Sequence, residues 1–294
     1  MANLKTIRNR IVSVRSTRQI TSAMKMVAAA KLRKAQDRIV MMRPYADKLR
    51  EILSGLAHSL SETGAECIYS RKSDPEKVLI VVITSNRGLC GGFNANVIRE
   101  VKRLISEDYN EQYRRGDLSF IAIGKKGYDF LRKLENCDIE EYNHLLNKLG
   151  FESVSKLASA IMTDFANARF HKVLLVYNQF KNAAIQRLST EVFLPVEIAE
   201  PDDESPIISD YIYEPDQQKI VKELIPKTLK VQFYKALLDS SAAEHGARMT
   251  SMHLATDNAT ELIRGLTLQY NKARQASITR QILEVVSGAE ALKG

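Results

Sequence analysis

Apolar residues recur with a coiled-coil spacing over the first sixty positions of the chain. Counted from Leu4 in alternating steps of three and four, the seam positions up to 60 are apolar except at Arg18, Thr21 and Lys25. A 3.5-residue frame kept over this length is typical of a long helix that packs against another helix. Residues 1–60 are therefore predicted to form an N-terminal coiled-coil helix, with a kink at Pro44, because proline removes a backbone donor.

The last segment, residues 217–294, repeats this spacing with smaller and more polar seam residues. Its seam runs through Leu238, Ala242, His245, Met249, Met252, Thr256, Ala259, Ile263, Leu266, Tyr270 and Ala273. Pro226 belongs near the start of this helix or at a break just inside it. Two long seams at opposite ends of one chain can pair only if the helices run antiparallel. Pairing of the two ends is the economical prediction, and two separate homodimeric coils are the alternative.

Residues 76–200 have a different pattern, in which short apolar runs alternate with helical spacing. The strand candidates are Lys77–Thr84, Leu118–Gly124, Lys172–Phe180 and Ile185–Val196, and the helix candidates are Ala95–Ser106, Lys126–Leu134 and Phe151–Arg169. This alternation predicts a central, Rossmann-like α/β domain with a mainly parallel sheet. An acidic surface loop is expected at 200–205. The fold class is therefore α/β, with a long antiparallel coiled coil added by the two terminal helices.

The formal net charge of +8 resides in the first helix. Residues 1–50 carry 13 basic and two acidic side chains, a net of +11, so the remaining 244 residues sum to −3. A solvated charged face and an acidic partner both explain this excess. Nucleic acid is a weaker candidate, since the basic residues are not gathered in one short region and no aromatic residue precedes Tyr45. The three cysteines and five histidines show no metal-ligand spacing, so no metal is expected.

The loop Ser85–Phe93 follows a predicted strand and precedes a predicted helix, where nucleotide folds bind phosphate. Its glycines, however, do not match G-x-G-x-x-G, and no G-x-x-x-x-G-K-[ST] occurs in the chain. We therefore interpret this loop as a structural turn and expect no cofactor. An independent α/β protein that binds phosphate or a nucleotide, flanked by dimerising helices, remains the alternative function.

The three polar seam positions suggest a second face on the first helix. Burying Arg18, Thr21 and Lys25 unpaired in a homodimer would cost several kcal/mol. Ile20, Met24 and Val27 can take over the apolar stripe there, so this stretch is expected to contact something besides its coiled-coil partner. After Ala273 the stripe of the last helix likewise shifts, to Ile278, Ile282, Val285 and Ala289.

Several long motifs carry a family resemblance. They are IRNRI at 7–11, QITSAMKMVAAAKLRK at 19–34, SNRGLCGGFN at 85–94, RMTSM at 248–252, ATDNA at 255–259, LQYNKARQASIT at 268–279 and SGA at 287–289. In this order, and from end to end, the chain resembles the gamma subunit of F-type ATP synthases. The resemblance implies a central rotor shaft, without catalysis or cofactor, that couples proton translocation to ATP synthesis and hydrolysis by rotation.

The resemblance also implies partners and contact residues. The partners are the hexamer of catalytic and non-catalytic subunits, the epsilon subunit and the membrane c-ring, with no nucleic acid and no membrane span of its own. The location is peripheral, on the cytoplasmic side of the cell membrane. Gln281 departs from the glutamate usual in the family, whereas Glu284 is retained. The contacts to the catalytic subunits that the resemblance implies are Met24, Arg274, Gln275 and Thr279. Arg18 and Lys25 from the polar seam positions, with Gln281 and Glu284 of the last helix, complete the predicted contacts.

Overall fold

The computed structural model describes residues 4–63, 68–70, 76–135, 137–147, 149–196 and 217–292. By packing, the chain forms two compact units. The two-helix unit comprises Met1–Ala28 and Met249–Gly294, and the sheet unit comprises Ala29–Arg248. Helix α1 (Leu4–Thr63) and helix α6 (Gln217–Ala291) each contribute to both units. The division into 1–60, 76–200 and 217–294 stays a prediction about domains.

The sheet unit is built on five strands in the order β3-β2-β1-β4-β5. These are β1 (Val78–Ile83), β2 (Leu118–Ile123), β3 (Asp138–Glu141), β4 (Lys172–Phe180) and β5 (Gln186–Leu194). Neighbouring strands are parallel from β3 to β4, whereas β5 is antiparallel to β4. The helices that connect them are α2 (Phe93–Arg103), α3 (Asn110–Arg115), α4 (Lys125–Leu131) and α5 (Phe151–Ala166). The predicted, mainly parallel sheet is confirmed.

Strand β1 shows why this sheet is buried on both faces. Its residues alternate between two hydrophobic clusters, because successive side chains of a strand point to opposite faces. Leu79, Val81 and Ile83 pack with side chains of α5 and α6. Ile80 and Val82 pack with side chains of α2 and α4. The continuous apolar run that predicted a buried parallel strand thus has a helix-covered layer on each side.

The two-helix unit is an antiparallel pair held by the predicted seam. Ile7 and Ile11 of α1 cluster with Leu266 of α6, and Val14, Tyr270 and Ala273 pack against them. Further along α1, Thr21 contacts Thr256, which precedes Leu266 in α6. Residue numbers thus rise along one helix as they fall along the other, so the chain pairs its own two ends. Between 4 and 49, every buried α1 residue occupies a predicted seam position.

Three features of the chain were either not predicted or are left open by the structure. The edge strand β3, which is short and mostly charged, was not predicted. Pro44 and Pro226 lie inside α1 and α6, and the kink expected at Pro44 stays a prediction. The acidic loop at 200–205 lies outside the described residues.

Candidate partner-binding surface

Thr21 occupies a buried seam position and is fully hydrogen-bonded. It is 9% exposed. Its Oγ1 donates to the carbonyl oxygen of Arg18 at 3.0 Å and lies 2.8 Å from Thr256 Oγ1, whose single proton is shared between Thr21 and the carbonyl oxygen of Met252 at 2.7 Å. The seam therefore continues through this position, because the hydroxyl has a partner on the facing helix. Ile20 and Val27, which were expected to turn the apolar stripe toward a further partner, are more than half exposed, and that contact stays a prediction.

Lys25 is half-buried and bonded across the helix pair. The Nζ atom of Lys25 lies 3.2 Å from Nδ1 of His253. Nδ1 of His253 also lies 3.4 Å from Oδ2 of Asp257. Sequence analysis did not single out His253 or Asp257. Their i, i+4 spacing on α6 was visible in the sequence, but their position opposite Lys25 depends on the register of the pairing.

The outward face of α1 in this unit combines apolar and basic side chains. Val12, Ile20, Met26 and Val27 are 57–66% exposed. Arg18 and Met24 are half-buried, and Arg8, Arg10 and Arg15 are exposed. The described part of this stretch, residues 4–28, contains no acidic residue. Exposed apolar residues in a positive field are typical of a surface that binds an acidic protein partner.

The C-terminal stretch of α6 is exposed along almost its whole length beyond Ala273. Arg274, Gln275, Thr279, Gln281 and Glu284 are all exposed, and Thr279 Oγ1 donates to the carbonyl oxygen of Gln275 at 3.0 Å. The apolar residues Ile278, Ile282 and Val285 of the shifted stripe are 46–72% exposed. No described residue of this stretch is buried, so its apolar stripe has no partner among the described residues.

The eight predicted contacts therefore form two patches of the two-helix unit. Arg18, Met24 and Lys25 form the α1 patch, whereas Arg274, Gln275, Thr279, Gln281 and Glu284 form the C-terminal patch. Thr256, opposite Thr21, precedes Thr279 by 23 residues on α6. At a rise of 1.5 Å per residue, the two patches are separated by about 35 Å along the helix.

In the sheet unit, the loop Ser85–Phe93 is held by contacts within the chain. The backbone amide of Ser85 donates to Oδ1 of Asn94 at 3.0 Å. The Arg248 guanidinium donates to the carbonyl oxygens of Arg87 at 2.9 Å and Gly88 at 3.3 Å. Leu89 has a φ of 63°, a left-handed conformation within this tight turn. These bonds agree with a structural turn, because the amide of Ser85, the first residue of the loop, already has its acceptor.

Arg248 also links two titratable groups on α6. It contacts Oε1 of Glu244 at 2.6 Å and Nδ1 of His245 at 3.4 Å. Burial raises the pKa of Glu244, although Arg248 and Lys31 act in the opposite direction. Burial, Arg248 and Lys31 together lower the pKa of His245 to about 4. His245 is therefore neutral at physiological pH, and this cluster fixes the loop to α6.

Among the described residues, no group of three or more His, Cys, Asp or Glu side chains could hold a metal ion. None of the described helices has both the length and the hydropathy that crossing a bilayer requires.

Known proteins provide an independent comparison. A family model described as ATP synthase matches residues 3–292. The ATP synthase gamma chain of Flavobacterium johnsoniae is 53% identical over 295 residues, covering 100% of both chains. A chain from the Tetrahymena thermophila mitochondrial ATP synthase central stalk and c-ring has a TM-score of 0.59 at 26% identity, over 80% of this chain and 99% of that chain. A chain from the Euglena gracilis mitochondrial ATP synthase shares the fold, with a TM-score of 0.70 at 20% identity, over 98% and 94% of the two chains.

Proposed function

Because this chain belongs to the family of ATP synthase gamma chains, we propose that its two-helix unit contacts the catalytic subunits through the α1 patch and the C-terminal patch. A gamma chain is a non-catalytic subunit, the rotor of the central stalk. Its work is mechanical: it transmits rotation between the proton-translocating membrane ring and the sites where ATP is made or hydrolysed.

The outward face of α1 carries this proposal. In the two-helix unit the seam satisfies its polar members internally, as Thr21 and Thr256 do at 2.8 Å. Ile20, Met26 and Val27 are left exposed among basic side chains. Long-range attraction to acidic loops does not require one fixed set of paired atoms. A positive surface with shallow apolar contacts therefore suits a shaft that must remain close to its partners while turning past them.

The two patches explain how one shaft can meet its partners at two heights. The α1 patch and the C-terminal patch are about 35 Å apart along α6. The C-terminal patch bears both signs of charge, from Arg274 and Glu284, whereas the α1 patch is only positive. We expect the α1 patch to face acidic lever loops and the C-terminal patch to face a catch region near the end of the shaft.

The remaining partners and the location follow from the same family. The Tetrahymena structure contains a central stalk and a c-ring. We expect this chain to join a membrane c-ring, an epsilon subunit and the hexamer of catalytic and non-catalytic subunits. Its place is then peripheral, on the cytoplasmic side of the membrane that holds the complex.

Crosslinking within the native complex tests the two patches. Met24→Cys and Thr279→Cys, each introduced into the full chain, are expected to crosslink to subunits of the hexamer. Glu111→Cys is the control, because this side chain of the sheet unit is 82% exposed and belongs to neither patch. If both patch variants failed to reach the hexamer while the complex remained assembled, the proposed surface would be wrong.

Calorimetry on the purified chain tests the alternative function. With ATP, NAD and inorganic phosphate as ligands, we expect no tight binding, because the Ser85 amide and the Arg248 guanidinium are already engaged. Tight nucleotide binding that Arg87→Ala abolished would favour the phosphate-binding alternative.

A further inference from the structure

One nitrogen of His253 faces two groups of opposite charge. Nδ1 lies 3.2 Å from Nζ of Lys25 on α1 and 3.4 Å from Oδ2 of Asp257 on α6. An imidazole nitrogen accepts a hydrogen bond when it carries no proton and donates one when it does. A lysine ammonium can only donate and a carboxylate can only accept. Nδ1 can therefore satisfy Lys25 or Asp257, but not both at once.

We propose that His253 is a positioning residue that holds Lys25 at the seam while its imidazole is neutral and releases it when Nδ1 becomes protonated. In the neutral state, Nδ1 accepts from Nζ of Lys25 across the helix pair. In the protonated state, Nδ1–H donates to Asp257 and faces the ammonium as a like charge. Lys25 then leaves the seam. As regulation of the α1 patch, this inference rests on the proposed function.

Few charged groups surround His253, so the protonation state of Nδ1 determines whether it bonds Lys25 or Asp257. Within the two-helix unit, Lys25 is the charged residue that α1 presents to the imidazole, and Asp257 is the one contributed by α6. Arg18, the next charged seam position of α1 in this unit, lies two helical turns from Lys25, and Glu261, an exposed residue of α6 outside the seam, lies eight residues from His253. Thr21 and Thr256 fill the intervening seam with uncharged hydroxyls bonded to each other.

Exposure gives the proton access to the ring. The side chains of His253 and Asp257 are 54% and 60% exposed. Histidine is the side chain whose charge ordinarily changes between pH 5 and 8. The released Lys25 side chain, which is charged in both states, then becomes available to a partner of the α1 patch. The protonated imidazole adds one positive charge beside the patch.

Nitrogen NMR of the full chain tests the switch directly. The chain is labelled with ¹⁵N-histidine, and the His253 signal is identified by its loss in His253→Gln. At pH 8, we expect Nδ1 of His253 to show the shift of an unprotonated acceptor. Lys25→Met should move the midpoint of the His253 titration to higher pH, because a facing cation is removed. Asp257→Asn should move it to lower pH, because the stabilising anion is lost.

Arg15→Met is the control, since it removes an exposed cation of α1 outside the seam and should leave the midpoint in place. Equal midpoints in wild type, Lys25→Met and Asp257→Asn would overturn the inference. So would an Nδ1 that remains a donor at pH 8.

Proton pumping by the assembled complex separates the switch from the proposed contact. ATP-driven pumping per ATP hydrolysed is compared between pH 5.5 and 8 for wild type and His253→Gln. Glutamine offers an acceptor oxygen that does not titrate, so the variant should lose the pH dependence that Lys25 contributes. If the NMR shifts appear but Lys25→Met changes nothing in the complex, the switch stands and Lys25 is not a partner contact.

Discussion

The sheet unit and the two-helix unit bury their side chains in different ways. The largest fully buried residues, among them Phe93, Phe120, Phe193 and Phe233, all belong to the sheet unit. Buried positions of the two-helix unit include small or polar residues such as Thr21, Ala28 and Ala259. The sheet unit thus satisfies its own apolar surface, whereas the two-helix unit leaves much of its apolar surface exposed.

Geometry accounts for this difference. A sheet covered by helices on both faces encloses every residue of a strand such as β1. A pair of helices can bury only the stripe of each helix that faces the other. Apolar residues outside that stripe, such as Ile20 and Val27, stay exposed unless another protein covers them. Stability thus resides mainly in the sheet unit, whereas the two-helix unit carries the exposed apolar surface through which we propose that the catalytic subunits are contacted.

The largest expected effect is on the core of the sheet unit. Phe233 is fully buried, and its ring lies 5.5 Å from that of Phe193. Phe233→Ala should destabilise the chain by about 3–5 kcal/mol, because it leaves a cavity. Phe151→Ala is the matched control, since Phe151 is 47% exposed and should cost far less. Urea denaturation measures both; equal losses would contradict the assignment of stability to this core.

The second-largest loss of stability is expected from removing the Arg248 guanidinium. Its side chain is 11% exposed, and it bonds both Glu244 and the loop after β1. Arg248→Ala leaves a buried carboxylate unpaired, which ordinarily costs about 3–5 kcal/mol. For Arg248→Ala we expect a destabilisation at the lower end of this range. Burial raises the pKa of Glu244, so the unpaired carboxylate can take up a proton. Arg115→Ala is the control, as its ion pair with Glu111 is largely exposed. A similar loss in both variants by thermal unfolding would refute the clamp.

A smaller effect is expected from acid, through His245. Its pKa is lowered from 6.5 to about 4 in the folded chain, first by burial and then by Arg248 and Lys31. The unfolded chain therefore binds a proton at higher pH than the folded chain does. The stability contributed by neutral His245 is complete above pH 6.5 and is lost progressively as the pH falls toward 4.

The melting temperature should accordingly fall less steeply over this range in His245→Gln, which does not titrate, than in wild type. Comparing the two chains cancels the contribution of Glu244, whose raised pKa acts in the opposite direction. Parallel curves for the two chains would show that His245 is not responsible.

The sequence predicted the antiparallel helix pair and the mainly parallel sheet, but not the partners of their polar residues. The seam positions of α1 came from spacing alone, and Ile7, Ala28, Leu32 and Ile39 are indeed buried there. The sequence also predicted β1 and β4, because short uninterrupted apolar runs of this length are typical of buried strands. Strand β3 escaped prediction, since Asp138–Glu141 has one apolar residue and is positioned by its parallel pairing with β2.

The polar seam positions show where sequence reasoning ends. In the sequence, Thr21 and Lys25 interrupt the apolar seam. Local sequence patterns cannot predict their hydrogen-bond partners, because these lie more than 200 residues away in the chain. Their partners Thr256 and His253 are fixed by the register of the antiparallel pair, which depends on contacts such as Ile11 with Leu266. Met24, Arg274, Gln275 and Thr279 were assigned from the family resemblance, and the partners that we propose for them lie on other chains.

Within the two-helix unit, the hydroxyl pair of Thr21 and Thr256 should make a small contribution to the free energy of unfolding. Thr21→Val removes a hydrogen bond to Thr256 at a buried position, so we expect a loss of about 1 kcal/mol. Thr17→Val is the control, because this exposed hydroxyl bonds only its own helix, at Ser13. A double-mutant cycle of Thr21→Val with Thr256→Val should give a coupling of about 0.5–1.5 kcal/mol by chemical denaturation. A coupling near zero would mean that the pair does not hold the seam.

The smallest change in stability, and the sharpest test of the comparison, is expected for Met24→Lys. Met24 is half-buried in the α1 patch, beside Lys25, and a lysine there keeps most of its apolar stem. We expect the free energy of unfolding of the isolated chain to change by less than about 1 kcal/mol. In the assembled complex, the added cation meets the partner past which the shaft turns, so fewer protons should be pumped per ATP hydrolysed.

Lys34→Met, an exposed change of α1 in the sheet unit, is the control. An unchanged pumping ratio would show that Met24 is not a working contact, whereas a large loss of stability would show that the two-helix unit holds the fold more than its narrow seam indicates.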